Sequence, residues 1–281
     1  TASITTTESV NELKTLTETS NAYTIVISSE DATATASDLS TINEKTTATV
    51  DASEVTSLTG TYAEVKALYE SEGVSNLGNE AISISNALNK TQANVLDGLT
   101  TGVITATISR SRVSALVGEN PLLDANNNNA YTIVISTEDA TVSASDLNTI
   151  NGLTTAAVDL TNVTSITSSS LVDLGTLATA IGNDEFSNDS GFTAIEVSNK
   201  RIDATTLAST IDAYDSINES GTTEMTLASE ARINVASGEV AHMLLDETQN
   251  RLDITDQNIV VTGSISVDDA NLLSATTTGI V

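Results

Sequence analysis

The sequence predicts an α/β chain wound as an elongated solenoid of about ten strand–short strand–helix coils with a parallel β-sheet. Three observations carry that prediction. A long segment occurs twice, strand-type alternation is followed by helix-spaced apolar sets, and the apolar residues are almost all aliphatic.

The repeat comes first. Residues 23–60 read YTIVISSEDATATASDLSTINEKTTATVDASEVTSLTG. Residues 131–168 return as YTIVISTEDATVSASDLNTINGLTTAAVDLTNVTSITS, with 26 of 38 positions identical. Self-similarity on this scale is the signature of stacked units that bury their apolar faces against one another. We read residues 1–281 as a single repeat domain, with ANNNNA at 125–130 as a candidate seam between duplicated halves.

Within the repeat, Ile25/Ile27 and Ala48/Val50 alternate with polar neighbours, as a half-buried strand requires. Ser37 is a candidate helix cap, and Leu39 and Ile42 share one helical face. The same order recurs at Ile82/Ile84, Ala106/Ile108, Ile133/Ile135, Ala156/Val158, Ile195/Val197, Met225/Leu227 and Leu252/Ile254. All these pairs are assigned to one stacked parallel sheet. Capping-box spacing at Ser9/Glu12 and Thr61/Glu64 opens two helices, and Ser266 with Asp269 opens a last one. Pro121 is positioned to start a short helix. Gly279-Ile280-Val281 reads as the opening of another strand.

Aromatic residues make up 2% of the chain and Trp is absent. A narrow interior filled by stacked aliphatic side chains needs no aromatic bulk. Net charge is 10 − 38 = −28. That excludes nucleic acid as a partner, because its phosphates are bound by Lys and Arg. It equally disfavours an anionic membrane surface and favours solubility and cations. Cysteine is absent. No apolar run approaches the ~20 residues of a spanning helix, so no membrane insertion is expected. The chain opens at Thr1 without Met, consistent with a processed or excised mature chain.

No catalytic motif stands out, and no enzyme activity is expected. GxSxG, Walker A and GxGxxG are all missing. With so many carboxylates, a pair at glycosidase spacing carries no information. His242 is the only histidine. It has neither a second imidazole nor a cysteine to share a metal, so it reads as a partly exposed helix residue. Glu30/Asp31 and Glu138/Asp139 occupy the same repeat position, either as a solvated acidic corner or as a repeated weak Ca²⁺ site. The loop carrying Asp184, Glu185, Asn188 and Asp189 is the best single cation candidate, though it lacks EF-hand spacing. Beyond weakly bound Ca²⁺, no cofactor is expected. Asn89, Asn162, Asn188 and Asn218 begin N-x-S/T sequons, the candidate glycosylation sites.

The pattern ASDLNTINGLTT–VDLTNVTSIT resembles repeats of very large secreted surface and adhesin-like proteins of aquatic bacteria, and of some phage fibres. The resemblance implies an extracellular structural or adhesive role and transfers no catalytic residue. The chain departs from those proteins that also carry calcium-binding nonapeptides.

The expected function is therefore a non-catalytic extracellular structural protein, a head-to-tail filament or surface-layer subunit. The alternative is an adhesin or phage tail-fibre segment that binds a glycan or cell surface. Both chain ends read as partial coils without a polar cap. Ile4, Val10 and Leu13 at one end and Ile280 and Val281 at the other are the candidate assembly residues, with the chain itself as partner.

Overall fold

The computed structural model describes residues 2–4, 7–17, 19–124, 128–189, 192–217, 224–229 and 231–281. Among them the chain is a mixed α/β structure with ten α-helices and five open sheets. Every strand pairing is parallel. The single sheet expected from the sequence is thus replaced by several. The reason lies at the corners. Strand Tyr23–Val26 and strand Thr33–Thr35 are separated by the 3₁₀ turn Ser29–Asp31, which sends the chain into a different sheet.

The chain gathers into two compact units, interleaved in sequence. The first holds residues 1–111, 119–133 and 153–156; the second holds 112–118, 134–152 and 157–281. The division runs through the second copy of the repeat rather than at 125–130, of which 125–127 lie outside the described residues.

The first unit has two sheets. One runs Ala2–Ser3, Tyr23–Val26, Val50–Asp51, Val74–Ser75. The other runs Thr33–Thr35, Ser57–Gly60, Ala81–Ile84, Ile104–Thr107, Ala130–Thr132. Register brings like onto like: Val50 lies between Ile25 and Val74, and Leu58 between Ala34 and Ile82. All of these side chains are buried. In the second unit the longest sheet runs Thr141–Val142, Ser165–Ser169, Ala194–Val197, Glu224–Leu227, Leu252–Asp253. Its Thr141↔Ser165 pairing repeats the Thr33↔Ser57 pairing of the first copy. The shared sequence therefore builds the same local register twice.

The helices start where the sequence supplies a cap. Ser9 and Thr61 form the expected capping boxes with Glu12 and Glu64, and Asn89 forms another with Gln92. Ser266 accepts from the Asp269 N–H as expected. The cap of the repeat helix lies two residues earlier than Ser37. Thr35 caps Ala36–Asn43, and Ser143 caps Ala144–Asn151. Pro121 starts no helix. The residue before it, Asn120, has φ 52°, and the short helix lies upstream at Val113–Val117. Its left-handed backbone is incompatible with continuing a helix through the proline.

A capped helix still has backbone donors to spare. Here a side chain from the next circuit takes one of them. Asp31 accepts from Val10 N–H at 2.8 Å, Asn86 from Tyr62 at 2.9 Å, and Asp139 from Val113 at 2.8 Å. Ser169 and Asn199 do the same for Ala144 and Leu171, each at 2.8 Å. Helix starts are thereby tied to side chains 21–28 residues further along the chain.

Helix exits have their own tie, the sequence Thr-Thr-Ala/Gly at 46–48, 100–102, 154–156 and 277–279. The first Thr hydroxyl donates to a backbone oxygen of the preceding circuit: Tyr23 at 2.8 Å, Glu80 at 2.7 Å, Tyr131 at 2.8 Å and Gln257 at 2.7 Å. Its oxygen then accepts from the N–H two residues on. The chains approach so closely that a Cβ at Gly102 would sit 2.3 Å from Glu80 O. At Gly279 it would sit 1.9 Å from Gln257 O.

This motif makes a stability prediction. Thr46 is buried and also accepts the Tyr23 N–H at 2.9 Å. Thr46→Val keeps the shape and strands buried backbone groups, so it should cost about 2–3 kcal/mol in chemical denaturation. Thr47→Val, at the exposed neighbour, should change stability by less than about 0.5 kcal/mol. Equal losses would remove the role assigned to the Thr46 hydroxyl.

Candidate functional site

The repeated acidic corner is built into the fold. Asp31 and Asp139 are the carboxylates that cap Val10 and Val113, and Glu138 pairs with Arg112 at 2.6 Å. Arg112 holds the N-cap position of the Val113–Val117 helix without a side-chain cap, so the neighbouring Asp139 supplies the missing acceptor.

The four residues of the acidic loop are not brought together. Asp184 and Asn188 stand at φ 60° and 56°, the left-handed backbone that Asn and Asp tolerate best. Asn188 donates Nδ2 to Asp159 at 3.0 Å, as Asn76 (φ 65°) donates to Asp51 at 2.8 Å in the first unit. The Asn76 amide and the Ser53 N–H hold the Asp51 carboxyl below its usual range. Glu185 turns to Asn151 and Asn183 instead. Loss of water raises the Asp189 carboxyl, with Asp184 adding to it. Among the described residues, no three Asp, Glu, His or Cys side chains gather closely enough to hold a metal ion.

Two sequons have committed their amide nitrogen, the atom a glycan would occupy. Asn162 Nδ2 donates to Ile135 O at 2.7 Å, and Asn188 Nδ2 to Asp159. Asn89 is exposed and uses Oδ1 as a helix cap, and Asn218 lies outside the described residues.

The assembly candidates divide. Val10 and Leu13 are buried within the first unit, 7% and 3% exposed, so they serve its core before any partner. Ile4 is half-buried and, with Leu16, Glu8, Glu12 and the edge of Leu13, lines an open groove of about 480 Å³. In the second unit Ile280 and Val281 are 79% and 49% exposed. They border a groove of about 700 Å³ with Ile259, Val260, Val261, Ile265 and Arg232. Residues 279–281 form no strand. They lie beside strand Asn258–Thr262 all the same, with Ile259 N–H on Ile280 O at 2.8 Å and Ile280 N–H on Asn258 Oδ1 at 3.0 Å.

Sequence reasoning missed a charge cluster centred on Arg251. His242 is half-exposed on helix Val240–Thr248, with Nε2 3.9 Å from Asp246 Oδ1. Asp246 is 1% exposed, and Arg251 Nε stands 3.5 Å from it. Arg251 also reaches Asp215 at 2.7 Å and Asp212 at 2.5 Å, both on helix Ala204–Ile217. One guanidinium thus serves three carboxylates. The Asp246 Oδ1 is buried with no hydrogen-bond partner among the described residues. Spacing of Asp212 to Arg251 in sequence gives no hint of this cluster, because the two helices meet only in three dimensions.

Burial raises the Asp246 carboxyl above its usual range, against the pull of Arg251 and His242. A folded-state value above the unfolded one means that the native state holds this proton more tightly. The stabilising contribution is then complete below the unfolded value and is lost as pH rises through the folded one. Asp246→Asn should therefore raise Tm at pH 7, by roughly 2–4 °C for ~1 kcal/mol. The gain should vanish as pH falls below about 4, where Asp itself is protonated. Asp215→Asn, which removes an Arg251 partner, should lower Tm at pH 7. A lower Tm for Asp246→Asn at neutral pH would show that the Arg251 pairing outweighs the lost water. In comparisons with known proteins, no family model, curated protein or solved structure matches this chain.

Proposed function

We propose that the chain winds as an α/β solenoid and serves as a non-catalytic, extracellular structural subunit that assembles head to tail. The winding rests on the two ties described above. Helix starts and helix exits both bond to the adjacent circuit, at offsets of about one circuit each time. Such a protein spends its side chains on holding successive circuits together.

The assembly rests on one surface in each unit. The groove beside Asn258–Thr262 is lined by six aliphatic side chains and by Arg232. The groove at Ile4 and Leu16 is lined by aliphatic residues and by Glu8 and Glu12. Apolar surface next to an open strand edge favours strand addition, and one basic side chain facing two acidic ones suits the pair. The occupant proposed for each groove is the other groove of a second copy. A contact between two different patches does not close on itself and propagates. The extracellular setting follows the acidic, cysteine-free composition, and among the described residues no helix is long and apolar enough to cross a membrane.

Negative-stain imaging and sedimentation of the purified chain test this reading. Filaments are expected, lost in Ile280→Asp while circular dichroism stays unchanged. A monodisperse monomer at high concentration would overturn it. The net charge adds a second expectation. Added NaCl or millimolar CaCl₂ should raise Tm by screening self-repulsion. A Tm indifferent to both would mean that the carboxylates are already compensated within the fold.

A further inference from the structure

The duplicated segments share most of their sequence, so the places where they differ in structure carry information. One such place lies in the second unit, between helices Ala144–Asn151 and Leu171–Gly182. There a groove of about 310 Å³ is lined by Asn148, Asn151, Thr176, Thr179, Asn183 and Glu185.

The first copy gives the comparison. Val50 N–H bonds Gly73 O, and Val158 N–H bonds Glu185 O, so Gly73 and Glu185 are equivalent. Asn43 corresponds to Asn151 and Ser40 to Asn148. Over Gly73 the Asn43 side chain fills the space itself, since a Cβ added there would lie 1.9 Å from Asn43 Oδ1. In the second copy Glu185 replaces the glycine and draws Asn151 to its carboxylate. Aligned on their caps Thr61 and Ser170, the facing helices differ at the Lys66–Glu70 pair, which is replaced by Gly175 and Thr179, so Glu185 is left without that neighbouring ion pair.

Much of the donor capacity of this groove is already engaged. The amide nitrogens of Asn151 and Asn183 face the Glu185 carboxylate, which can only accept. Asn148 Nδ2 donates to Asp173 O at 3.0 Å. The hydroxyls of Thr176 and Thr179 donate to Val172 O and Gly175 O of their own helix. Each amide nitrogen keeps one further N–H, and against these three donors stand more acceptors: three amide oxygens, two hydroxyl oxygens and a carboxylate. Asn148 Oδ1 is buried with no partner among the described residues, which is costly until a donor reaches it.

We propose that this groove binds a primary ammonium group carried on a small molecule, either an amino sugar or an aliphatic diamine. An ammonium has three donors, no acceptor and a positive charge, which matches an acceptor-rich groove around one carboxylate. An anion finds no Lys or Arg among the lining residues. A metal ion finds one carboxylate. The inference is independent of head-to-tail assembly, and it gives the adhesive alternative a ligand chemistry.

Isothermal titration of the full chain at pH 6 tests it, with glucosamine, putrescine and N-acetylglucosamine as titrants. Glucosamine and putrescine separate the two carriers. N-acetylglucosamine keeps the sugar and removes the charge, and should bind at least fivefold more weakly than glucosamine. A chain of charge −28 also gathers amines non-specifically, so the deciding variant is a neutral one. Asn148→Ser installs the first copy's residue without changing charge and should weaken amine binding at least fivefold. Thr176→Ala, on the facing helix, should weaken it in the same sense. Unchanged binding in both variants, with native circular dichroism, would reduce the effect to counterion attraction and overturn the site. Equal binding of N-acetylglucosamine, or no saturable binding of either amine, would overturn it as well. Filament formation is read separately by imaging and is not expected to change in either variant.

Discussion

Parallel strands joined through helices create one demand on which the rest of this structure depends. Within the strands, backbone groups pair with the circuits on either side. At each corner and each helix end they do not, and a buried backbone donor or acceptor left alone costs about as much as a lost hydrogen bond. The chain answers with short polar side chains at fixed places. Asp, Asn or Ser from the next circuit meets a helix's first N–H, and a Thr hydroxyl meets a backbone oxygen where the helix exits. This is why Thr, Ser, Asn and Asp dominate a sequence whose interior is aliphatic. They do work that an ordinary globular fold assigns to longer loops and water.

The same demand explains how so acidic a chain tolerates its charge. Many carboxylates are acceptors for backbone N–H groups rather than unpaired surface charges. Asp31, Asp51, Asp139, Asp159 and Asp253 each receive at least one such bond. A carboxylate serves there better than an amide, because the charge strengthens the bond it accepts. The exception is Asp246, whose buried oxygen relies on a shared Arg251. That arrangement is weak evidence for stability, since taking charges out of water offsets much of their attraction. It does fix how helix Ala204–Ile217 sits against helix Val240–Thr248 within the second unit.

What the sequence displayed was what repeats locally. Alternation located the buried strand residues: Ile25, Ile27, Ile82, Ile133, Ile195 and Met225 are all essentially inaccessible. Capping boxes located helix starts because the box is contained in four residues. The division into several sheets was not legible, since alternation reports which way a side chain faces and not which neighbour its strand pairs with. The Thr-Thr-Ala/Gly exits were present in the sequence, but a Thr-Thr pair does not by itself reveal that its first hydroxyl bonds a backbone oxygen far upstream. Comparing the copies shows the change at 40/148, but 73/185 lies beyond the repeated segment and is matched only by the backbone bonds of the structure. Only the structure, however, shows that those two positions and Asn151 converge. The Arg251 cluster left no trace, because its members are far apart in sequence and each looks like an ordinary surface charge.

The duplication also bears on how such a chain acquires new chemistry. Circuit-to-circuit ties constrain the corners strongly: Asp51 and Asp159, Asn76 and Asn188, Thr46 and Thr154 keep the same partners in both copies. The outward faces of helices are constrained only by solubility. Replacing Gly73 with Glu185 meets no opposition from the strand ladder, since the backbone bond from the neighbouring valine is made in both cases. The gain is a side chain that reorients Asn151 without moving the circuit beneath it. Rigid corners under variable helix faces separate the residues that hold the fold from those that can change its surface. On that division, a ligand-binding groove is more readily gained between two helices than on the sheets, whose inward side chains form the core.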